Sequence, residues 1–456
     1  MLLGRNSELQ YLNRFYDRAG SQILVVYGQE MVGKTALLKE FVQDKPYYYY
    51  ECRSCSPREQ LYLWGLELAD QGIKTLKYPD LPDVLEAALQ NTTAKQVLIL
   101  DEFQNFVKSD PDFMARLVSF VNNKWQNREI LVVLISSSIG WVENDMISRI
   151  GEVAYELAGL LKIRELPFSC LKDYFTGFSF EDLVNIYAVF GGFPGLWSFL
   201  DDKKSFKENL IRLVLSPTGA LRHKADDIVS SELRETGVYN TILACIAEGA
   251  NKLNAIYEAT GFSRAKISVY LKNMIELEIV EKVFSMETEG HDNMQKGIYR
   301  IHYPFIHFYF TFLYPHMSDL NRLTDREFYQ RYIGQEIRFY TGFYFKKICM
   351  EYMQDQDRLD RLPIKSEESG EWVGKNGNID IIMVNKEGEC LIGLCNWDKP
   401  MMNYDDYEWL NFLASQAKIS PEYIYLFSQE RFDEQLELEA KVKKGLKLVT
   451  LKEMNR

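Results

Sequence analysis

Residues 28–35 read GQEMVGKT, a G-x-x-x-x-G-K-T pattern whose residue types and spacing suit the binding of a phosphate chain. A β-phosphate requires several main-chain N–H donors that converge on one anion, and a glycine-containing turn that opens a helix supplies them. We predict that Lys34 reaches the β- and γ-phosphates and that the Thr35 hydroxyl binds Mg²⁺. The residues predicted to contact the phosphates are Gly28, Gln29, Glu30, Met31, Val32, Gly33, Lys34, Thr35 and Ala36.

A second motif, QVLILDE at residues 96–102, places two acids at the end of an apolar run. In a phosphate site of this type, the first acid holds the Mg²⁺ shell and the second polarises the attacking water. We assign Asp101 to the metal and Glu102 to general-base catalysis. The alternative is a buried strand whose acids only cap the next turn. Two independent parts of one phosphate site agree, which favours bound ATP with Mg²⁺ and water as the acceptor.

Two further residues are weaker catalytic candidates. The apolar run at residues 130–135 ends in three serines, and Ser136 or Ser137 is placed to contact the γ-phosphate or its water. Serines that simply terminate a strand are an equal alternative. Arg149 has a charge suited to the phosphates, supplied in cis or from a neighbouring subunit, although a solvated surface arginine fits the pattern as well.

The elements that must position these residues alternate between helix and strand. An apolar run at residues 23–27 precedes the glycine loop and a helix-like run at residues 36–42 follows it. The interval before Asp101 leaves room for helix, strand and helix, with residues 47–50 as the strand. This order predicts an α/β domain with a parallel central sheet.

Composition limits the remaining choices. The 456-residue chain is 46% apolar, long enough for two to four globular domains. No apolar run approaches the length of a membrane span, and seven cysteines in a chain of this size suggest reduced, cytoplasmic thiols. The net charge of −12 disfavours a broad nucleic-acid footprint but leaves room for a local basic face.

The chain beyond the first domain is predicted to be helical and then to form a winged helix. Helical patterns after residue 166 are interrupted by GGFPG at residues 191–195, which forces a turn. Three helices at residues 239–276 precede two short strands, and Ser263 caps a third helix that opens with two basic residues. Residues 237–284 carry five basic and five acidic side chains, so DNA binding and a protein-interaction or packing role remain equal alternatives.

Taken in order, these motifs resemble the archaeal-type ATPase family of P-loop proteins. The resemblance implies an ATPase of the ASCE type related to the STAND and AAA groups, with a lid, a winged helix and a C-terminal DUF234 domain similar to PD-(D/E)XK nucleases. Family members usually carry arginines where this chain has Gln29, Glu30 and Met31. The residues that carry the resemblance are Gly4-Arg5, Glu8-Leu9, 27–35, 100–103, 136–138, 191–194, 247–249 and 299–301.

The nuclease residues implied by the resemblance are largely absent. Asp380 stands where the family has its aspartate, but the E-C-K-W position reads LCNW at residues 394–397. Lys346 replaces the usual helix glutamate, and its positive charge would repel Mg²⁺. We predict a nuclease-like fold without nuclease activity that serves as a binding or assembly module.

We therefore expect an α/β P-loop NTPase with a helical lid, a winged-helix domain and a C-terminal α/β nuclease-like domain. One functional hypothesis is a Mg²⁺-dependent ATPase switch coupled to DNA or protein binding. The other is a non-hydrolysing, nucleotide-stabilised, DNA-linked regulator or scaffold. The expected partners are ATP, DNA through the winged helix, and a protein partner or a second copy of the chain, but no membrane. The predicted boundaries are 1–160 for the ATPase core, 161–230 for the lid, 231–303 for the winged helix, 304–335 for a helical linker and 336–456 for the nuclease-like domain.

Overall fold

The computed structural model describes residues 3–89, 94–123, 129–233, 235–286 and 297–455. Parts of three predicted domains lie outside these residues: 1–2, 90–93 and 124–128 of the core, 234 and 287–296 of the winged helix, and 456 at the end. The described chain divides into two compact units. The first contains residues 1–166 with 193–196, and the second contains residues 167–192 with 197–456.

The first unit contains the predicted parallel sheet. Its five strands have the order β2-β3-β4-β1-β5, and every neighbouring pair is parallel. The central strands are buried along almost their whole length, which is why their sequences are continuously apolar rather than alternating. The strands are β1 Gln22–Tyr27, β2 Tyr47–Glu51, β3 Gln96–Asp101, β4 Ile130–Ser136 and β5 Gly159–Lys162.

In the part of this unit that the structure describes, seven α-helices accompany the sheet, and their apolar faces build its core. Trp64, Phe103 and Phe106 are fully buried in one cluster beneath β2, β3 and β4. Because parallel strands end at the same edge, the loops after β1, β3 and β4 meet there. The helices are α1 Asn6–Tyr16, α2 Lys34–Phe41, α3 Pro57–Asp70, α4 Leu81–Ala88, α5 Gln104–Ser109, α6 Phe113–Asn123 and α7 Met146–Ile150.

The core boundary predicted at residue 160 is wrong, because it cuts through β5. This strand pairs with β1 from Leu24 to Tyr27, so the first unit continues to residue 166. Residues 193–196, predicted as part of the lid, also cluster with the first unit. The short and half-exposed sequence of β5 lacks the apolar run by which the other strands were recognised.

The second unit begins with helices where the lid was expected. The α9 helix ends at Gly191, whose φ of 59° and ψ of −160° form a backbone conformation open almost only to glycine. The following short helix, α10, starts in the segment that clusters with the first unit. These helices are α8 Phe168–Tyr174, α9 Phe180–Phe190, α10 Pro194–Trp197, α11 Phe206–Leu210 and α12 Lys224–Glu232.

Three helices and an antiparallel hairpin follow, in the order predicted for the winged helix. The Ser263 hydroxyl accepts a hydrogen bond from the Lys266 N–H and so caps the third helix. Ile267, Leu271 and Met274 form its buried face, as the sequence pattern indicated. The elements are α13 Thr236–Ala247, α14 Leu253–Thr260, α15 Arg264–Glu276, β6 Val280–Val283 and β7 Ile298–Ile301.

The interval predicted as a linker is helical and leads into one long helix. Phe305, Phe308 and Phe310 are buried, so this interval forms part of the core of the second unit. Its helices, followed by the long helix, are α16 Pro304–Phe308, α17 Met317–Arg322, α18 Asp325–Phe328 and α19 Ile337–Arg358.

A mixed five-stranded sheet of order β14-β12-β10-β9-β8 completes the second unit. The β8, β9 and β10 strands are antiparallel neighbours, whereas β12 is parallel to both β10 and β14. The β11 and β13 strands form a separate parallel pair. In chain order, the elements of this part are β8 Glu368–Val373, β9 Asn378–Val384, β10 Cys390–Asn396, β11 Met401–Met402, α20 Tyr404–Gln416, β12 Tyr423–Ser428, β13 Arg431–Phe432, α21 Glu434–Val442, β14 Leu446–Thr450 and α22 Leu451–Met454.

Two general features complete the architecture. All seven cysteines are free thiols. Within the described residues, none of the helices combines the length and the apolar character that a bilayer crossing requires.

Candidate nucleotide site

The loop between β1 and α2 adopts a conformation that depends on its two glycines. Gly33 has a φ of 99°, which only glycine adopts without strain. A Cβ atom on Gly28 would overlap the carbonyl oxygen of Ile163, so the close approach of the loop to β5 also requires glycine. Between them Met31 has a φ of 66°, uncommon for a side chain that is neither asparagine nor aspartate.

Lys34 begins α2 and turns back over the loop that precedes it. Its buried Nζ donates to the carbonyl oxygens of Gly28 at 2.8 Å and Gln29 at 3.0 Å. Carbonyl oxygens of the loop thus hold the Lys34 ammonium, and the N–H groups of the first turn of α2 follow it directly in the chain. Thr35 and Ala36 are exposed on that turn, while Val32 is buried.

Arg5 anchors the phosphate loop from the side of the N-terminal helix. It is 3% exposed, and its Nη2 donates to the carbonyl oxygens of Val32 at 2.9 Å and Arg164 at 2.7 Å. Its Nη1 pairs with Glu8 at 3.0 Å. Arg5 belongs to a family motif, but nothing in its local sequence pattern indicates a partner more than twenty residues away, so its contacts could not be predicted.

Asp101 lies at the end of β3 with its carboxylate held on two sides. The Tyr49 hydroxyl donates to Oδ2 at 2.7 Å, and the Glu102 N–H donates to Oδ1 at 2.9 Å. Burial raises the pKa of Asp101, while the Tyr49 hydrogen bond and the Lys34 charge oppose that rise. Sequence reasoning placed Tyr49 on a strand without a role, and the parallel register of β2 and β3 brings it to Asp101.

Glu102 is clamped by two neighbours and has a strained backbone. Its φ is 51°. Its carboxylate accepts hydrogen bonds from the Gln104 side-chain amide and from the Ser137 hydroxyl, and the Ser137 N–H lies 3.4 Å from Oε2. Residues in sparsely populated backbone regions concentrate at functional sites, and this one lies at the edge where β3 and β4 end.

The structure brings Ser137, rather than Ser136, to the glutamate. The Ser136 side chain is fully buried and accepts a hydrogen bond from the Ser138 N–H at 3.1 Å. Its carbonyl oxygen accepts from the Gly28 N–H at 3.3 Å, which ties β4 to the phosphate loop. Ser136 therefore touches the loop through its main chain. Alternate residues of a strand end point to opposite sides, which the sequence pattern could not resolve.

Arg149 is exposed in the last turn of α7. Its side chain forms no hydrogen bond or ion pair with the part of the chain that the structure describes. The structure therefore does not join Arg149 to Lys34, Asp101 or Glu102.

The GGFPG segment contributes to the phosphate loop, which the sequence analysis did not foresee. The Gly195 N–H donates to the Met31 carbonyl oxygen at 2.9 Å. A Cβ atom on Gly33 would lie 3.0 Å from the Pro194 ring. Local turn signals indicated only a break between helices, because the contact joins positions more than 150 residues apart.

The outer face of α15 is accessible to solvent. Its exposed residues include Arg264, Ser268, Val269 and Lys272.

The acid retained in the C-terminal domain is buried and paired. The Oδ1 atom of Asp380 lies 2.7 Å from the Lys346 Nζ. A lysine thus occupies the place where a metal would meet this carboxylate.

Two family models match the chain: that of an AAA domain (AAA_22) over residues 17–138, and DUF234, described as archaea bacterial proteins of unknown function, over residues 309–408. An uncharacterized protein of Methanocaldococcus jannaschii is 28% identical over 387 residues, which cover 84% of each chain. An uncharacterized ATP-binding protein of the same organism is 36% identical over 45 residues, which cover 10% of this chain and 76% of the relative. The solved Walker-type ATPase of Pyrococcus abyssi is similar at 16% identity and a TM-score of 0.47, covering 68% of this chain and 96% of that one.

The parallel sheet, the glycine loop and the AAA-domain match define the class of protein, a P-loop ATPase that binds ATP. Within that class, the order of the two matches, an AAA domain followed by a C-terminal DUF234 domain, is consistent with the archaeal-type ATPase family that the sequence motifs resemble.

Proposed function

We propose that this ATPase is a Mg²⁺-dependent switch, in which hydrolysis at the first unit changes what the second unit binds. The observation that carries the proposal is Glu102, held by Ser137 and Gln104 at the sheet edge where Asp101 and the phosphate loop also lie. A general base needs a defined orientation before it can activate water.

The residues around the loop fit a nucleotide with its metal. Lys34 already holds a buried position over the loop, and its ammonium is the group that would pair with the β- and γ-phosphates. Thr35 is exposed at the start of α2, and Asp101 offers a carboxylate oriented by Tyr49. These two residues would hold Mg²⁺, which supplies charge neutralisation to the phosphates when bound.

Glu102 would accept a proton from the attacking water. The Oε1 atom of Gln104 is buried and without a hydrogen-bond partner in the described residues. An unpaired buried acceptor costs free energy, and a water donating to it beside Glu102 would remove that cost. Ser137, which donates to Glu102, would be the serine that senses the γ-phosphate or its water, while Ser136 supports the loop through its main chain. A role for Arg149 would require a neighbouring subunit.

Coupling to the second unit would run through the GGFPG segment. Gly195 holds Met31 of the loop, and α9 ends at Gly191, only four residues before it. A shift of the loop between nucleotide states would therefore be passed to the helices on either side of this segment.

DNA is the favoured partner of the second unit. The outer face of α15 leaves Arg264, Ser268 and Lys272 exposed, and Arg264 is oriented by Asn254 at 3.0 Å. Basic and hydroxyl side chains near the start of such a helix contact phosphates and base edges in related arrangements. The alternative is that the same face of α15 binds a protein partner or a second copy of the chain.

Steady-state phosphate release tests the catalytic half of the proposal. The Glu102→Gln variant is expected to lose hydrolysis by about 10²–10⁴-fold and to retain ATP binding, because the amide cannot accept the proton. Glu152→Gln, at an exposed glutamate, is the matched control. If Glu102→Gln releases phosphate in the presence of Mg²⁺ at the rate of the unsubstituted protein, Glu102 is not the general base. No release from the unsubstituted protein, with or without DNA, would favour the nucleotide-stabilised scaffold.

A gel-shift assay with a duplex panel, with and without ATP and Mg²⁺, tests the coupling. We expect Arg264→Ala to weaken duplex binding and to reduce its salt dependence by about one phosphate contact. Lys441→Ala, an exposed lysine on α21, should leave both unchanged. Duplex binding that is insensitive to Arg264→Ala, or identical with and without ATP, would contradict the proposed coupling to DNA. It would leave the proposed ATP hydrolysis untouched.

A further inference from the structure

A cavity of about 690 Å³ lies entirely within the second unit. Its walls come from the end of α13, from β7, from the helical interval after residue 304, from α19 and from the turn between β8 and β9. None of its lining residues belongs to the phosphate loop or to the first unit. This volume lies in the range of small-molecule sites.

One face of α19 brings aromatic rings to this cavity. Phe339 and Phe343 are four residues apart and therefore neighbours on the same helix face. Both line the cavity, yet Phe339 is 72% exposed and Phe343 is 38% exposed. Rings left accessible on a helix that otherwise buries Tyr340 and Tyr344 offer faces on which a planar ligand can stack.

Cationic side chains line the same cavity as these rings. Lys252, Arg300 and Arg331 line the cavity, whereas Glu336 is the acidic side chain among the lining residues. Arg331 lies over the Tyr332 ring at 5.2 Å. Its charge is partly compensated by Asp319 at 3.5 Å. Arg300 is paired with Glu371, so Lys252 and the partly compensated Arg331 are the cations that remain to meet an anionic group. Cations beside aromatic faces complement a ligand that is both planar and anionic.

Arg300 fixes the inner wall. Its guanidinium pairs with Glu371 of β8 through both terminal nitrogens and lies 5.4 Å from the Phe343 ring centroid. The Met286 N–H donates to the Glu371 carbonyl oxygen at 2.8 Å, and the Val373 N–H donates to the Ser285 hydroxyl at 2.9 Å. The hairpin of β6 and β7 is therefore tied to β8, so the cavity has a built wall.

We propose that this cavity binds a nucleobase that carries phosphate, with the base on the Phe339–Phe343 face and the phosphate near Arg331 and Lys252. Two sources present this chemistry: a free nucleotide and a base within a single strand. The site is separate from the phosphate loop and does not depend on hydrolysis there.

The test uses the full chain with Lys34→Ala, which removes the phosphate-loop contribution. Fluorescence anisotropy is measured with N-methylanthraniloyl-AMP, with a fluorescein-labelled single-stranded octanucleotide, and with the same octanucleotide as a duplex. AMP lacks the β- and γ-phosphates that Lys34 is predicted to hold. The first two probes distinguish the two sources of the ligand.

We expect saturable binding of AMP, of the single strand or of both. Phe339→Ala should weaken it about tenfold, since stacking on one ring accounts for an effect of that order. Ala247→Phe, which places a ring inside the cavity, should abolish it. Phe412→Ala removes another exposed phenylalanine, on α20 and outside the cavity lining, and should have no effect.

Three results would overturn the proposal: neither AMP nor the single strand binds, binding is unchanged in both Phe339→Ala and Ala247→Phe, or only the duplex binds. Circular dichroism melting establishes that each variant is folded. Phe339 is exposed, so its substitution keeps the test valid even where Ala247→Phe fails to fold.

Discussion

The main-chain N–H of Gly195 donates a hydrogen bond to the carbonyl oxygen of Met31, with the two atoms 2.9 Å apart. Met31 lies in the middle of the phosphate loop with a φ of 66°, and Gly195 lies in the GGFPG segment that follows α9. A distant segment thus supports the strained centre of the loop.

The Gly195→Ala variant should bind ATP about tenfold more weakly. An added Cβ atom would lie 2.8 Å from the Met31 Cα and carbonyl oxygen, so the loop or the segment must move. Displacements of this size at a phosphate site are costly, since its contacts depend on orientation. Titration with a fluorescent ATP analogue measures the effect. Gly237→Ala is the control, because its Cβ atom meets nothing within 4 Å. Equal affinities in both variants would mean that the Gly195 contact does not support the loop.

The Tyr49→Phe variant should shift the acidic limb of the pH–rate profile of ATP hydrolysis to higher pH. Burial raises the pKa of Asp101, and the hydrogen bond from Tyr49 opposes that rise. Without the hydroxyl, the pKa of Asp101 increases further, so the carboxylate form that the metal requires is lost at a higher pH. Rates should converge with the unsubstituted protein in alkaline solution. Tyr47→Phe, on the same strand but exposed, should leave the profile unchanged. A shift in the opposite direction would exclude this role for Tyr49.

The Lys346→Met variant should be less stable than the unsubstituted protein by about 1–3 kcal/mol. The substitution leaves the carboxylate of Asp380, which is 2% exposed, without its ionic partner. Adding Asp380→Asn should recover much of the loss, because the uncompensated charge disappears. Urea unfolding measures both variants. Lys386→Met breaks an exposed pair with Glu367 and should cost less than about 1 kcal/mol.

The same pair predicts that the protein has no nuclease activity, because Lys346 neutralises the single retained acid. Incubation of DNA with Mg²⁺ should give no cleavage. Cleavage that Asp380→Asn abolishes would contradict this prediction.

His307 should make the stability of the second unit depend on pH. Burial lowers the pKa of His307 to about 4, from 6.5 in a model compound. The unfolded chain therefore binds a proton between these two values that the folded chain does not. This contribution is complete above pH 6.5 and is lost as the pH falls toward 4, by a total of about 3 kcal/mol.

Urea unfolding of His307→Asn at pH 7 and pH 5 measures this contribution. The variant should lose less stability between the two pH values than the unsubstituted protein loses. His223→Asn, at an exposed histidine, should behave like the unsubstituted protein. An unchanged pH dependence in His307→Asn would mean that His307 takes up its proton at the same pH in the folded and the unfolded chain, so that burial does not shift its pKa.

The sequence alone identified the elements whose signals are local. Long apolar runs predicted β1, β3 and β4, because strands buried on both faces need continuous apolar sequence. The cap at Ser263 and the spacing of Ile267, Leu271 and Met274 predicted α15. The predicted core boundary failed at β5, whose four half-exposed residues have no such signal.

The phosphate loop and the acidic pair could also be recognised from the residues alone, since these motifs are short and contiguous. Their supporting contacts became visible only in the folded chain. Tyr49 reaches Asp101 across two paired strands, Ser137 rather than Ser136 donates to Glu102, and Gly195 donates to Met31 from a distant turn. Strand register and side-chain direction follow from packing between distant segments, and a local pattern of residue types does not encode which distant partner is met.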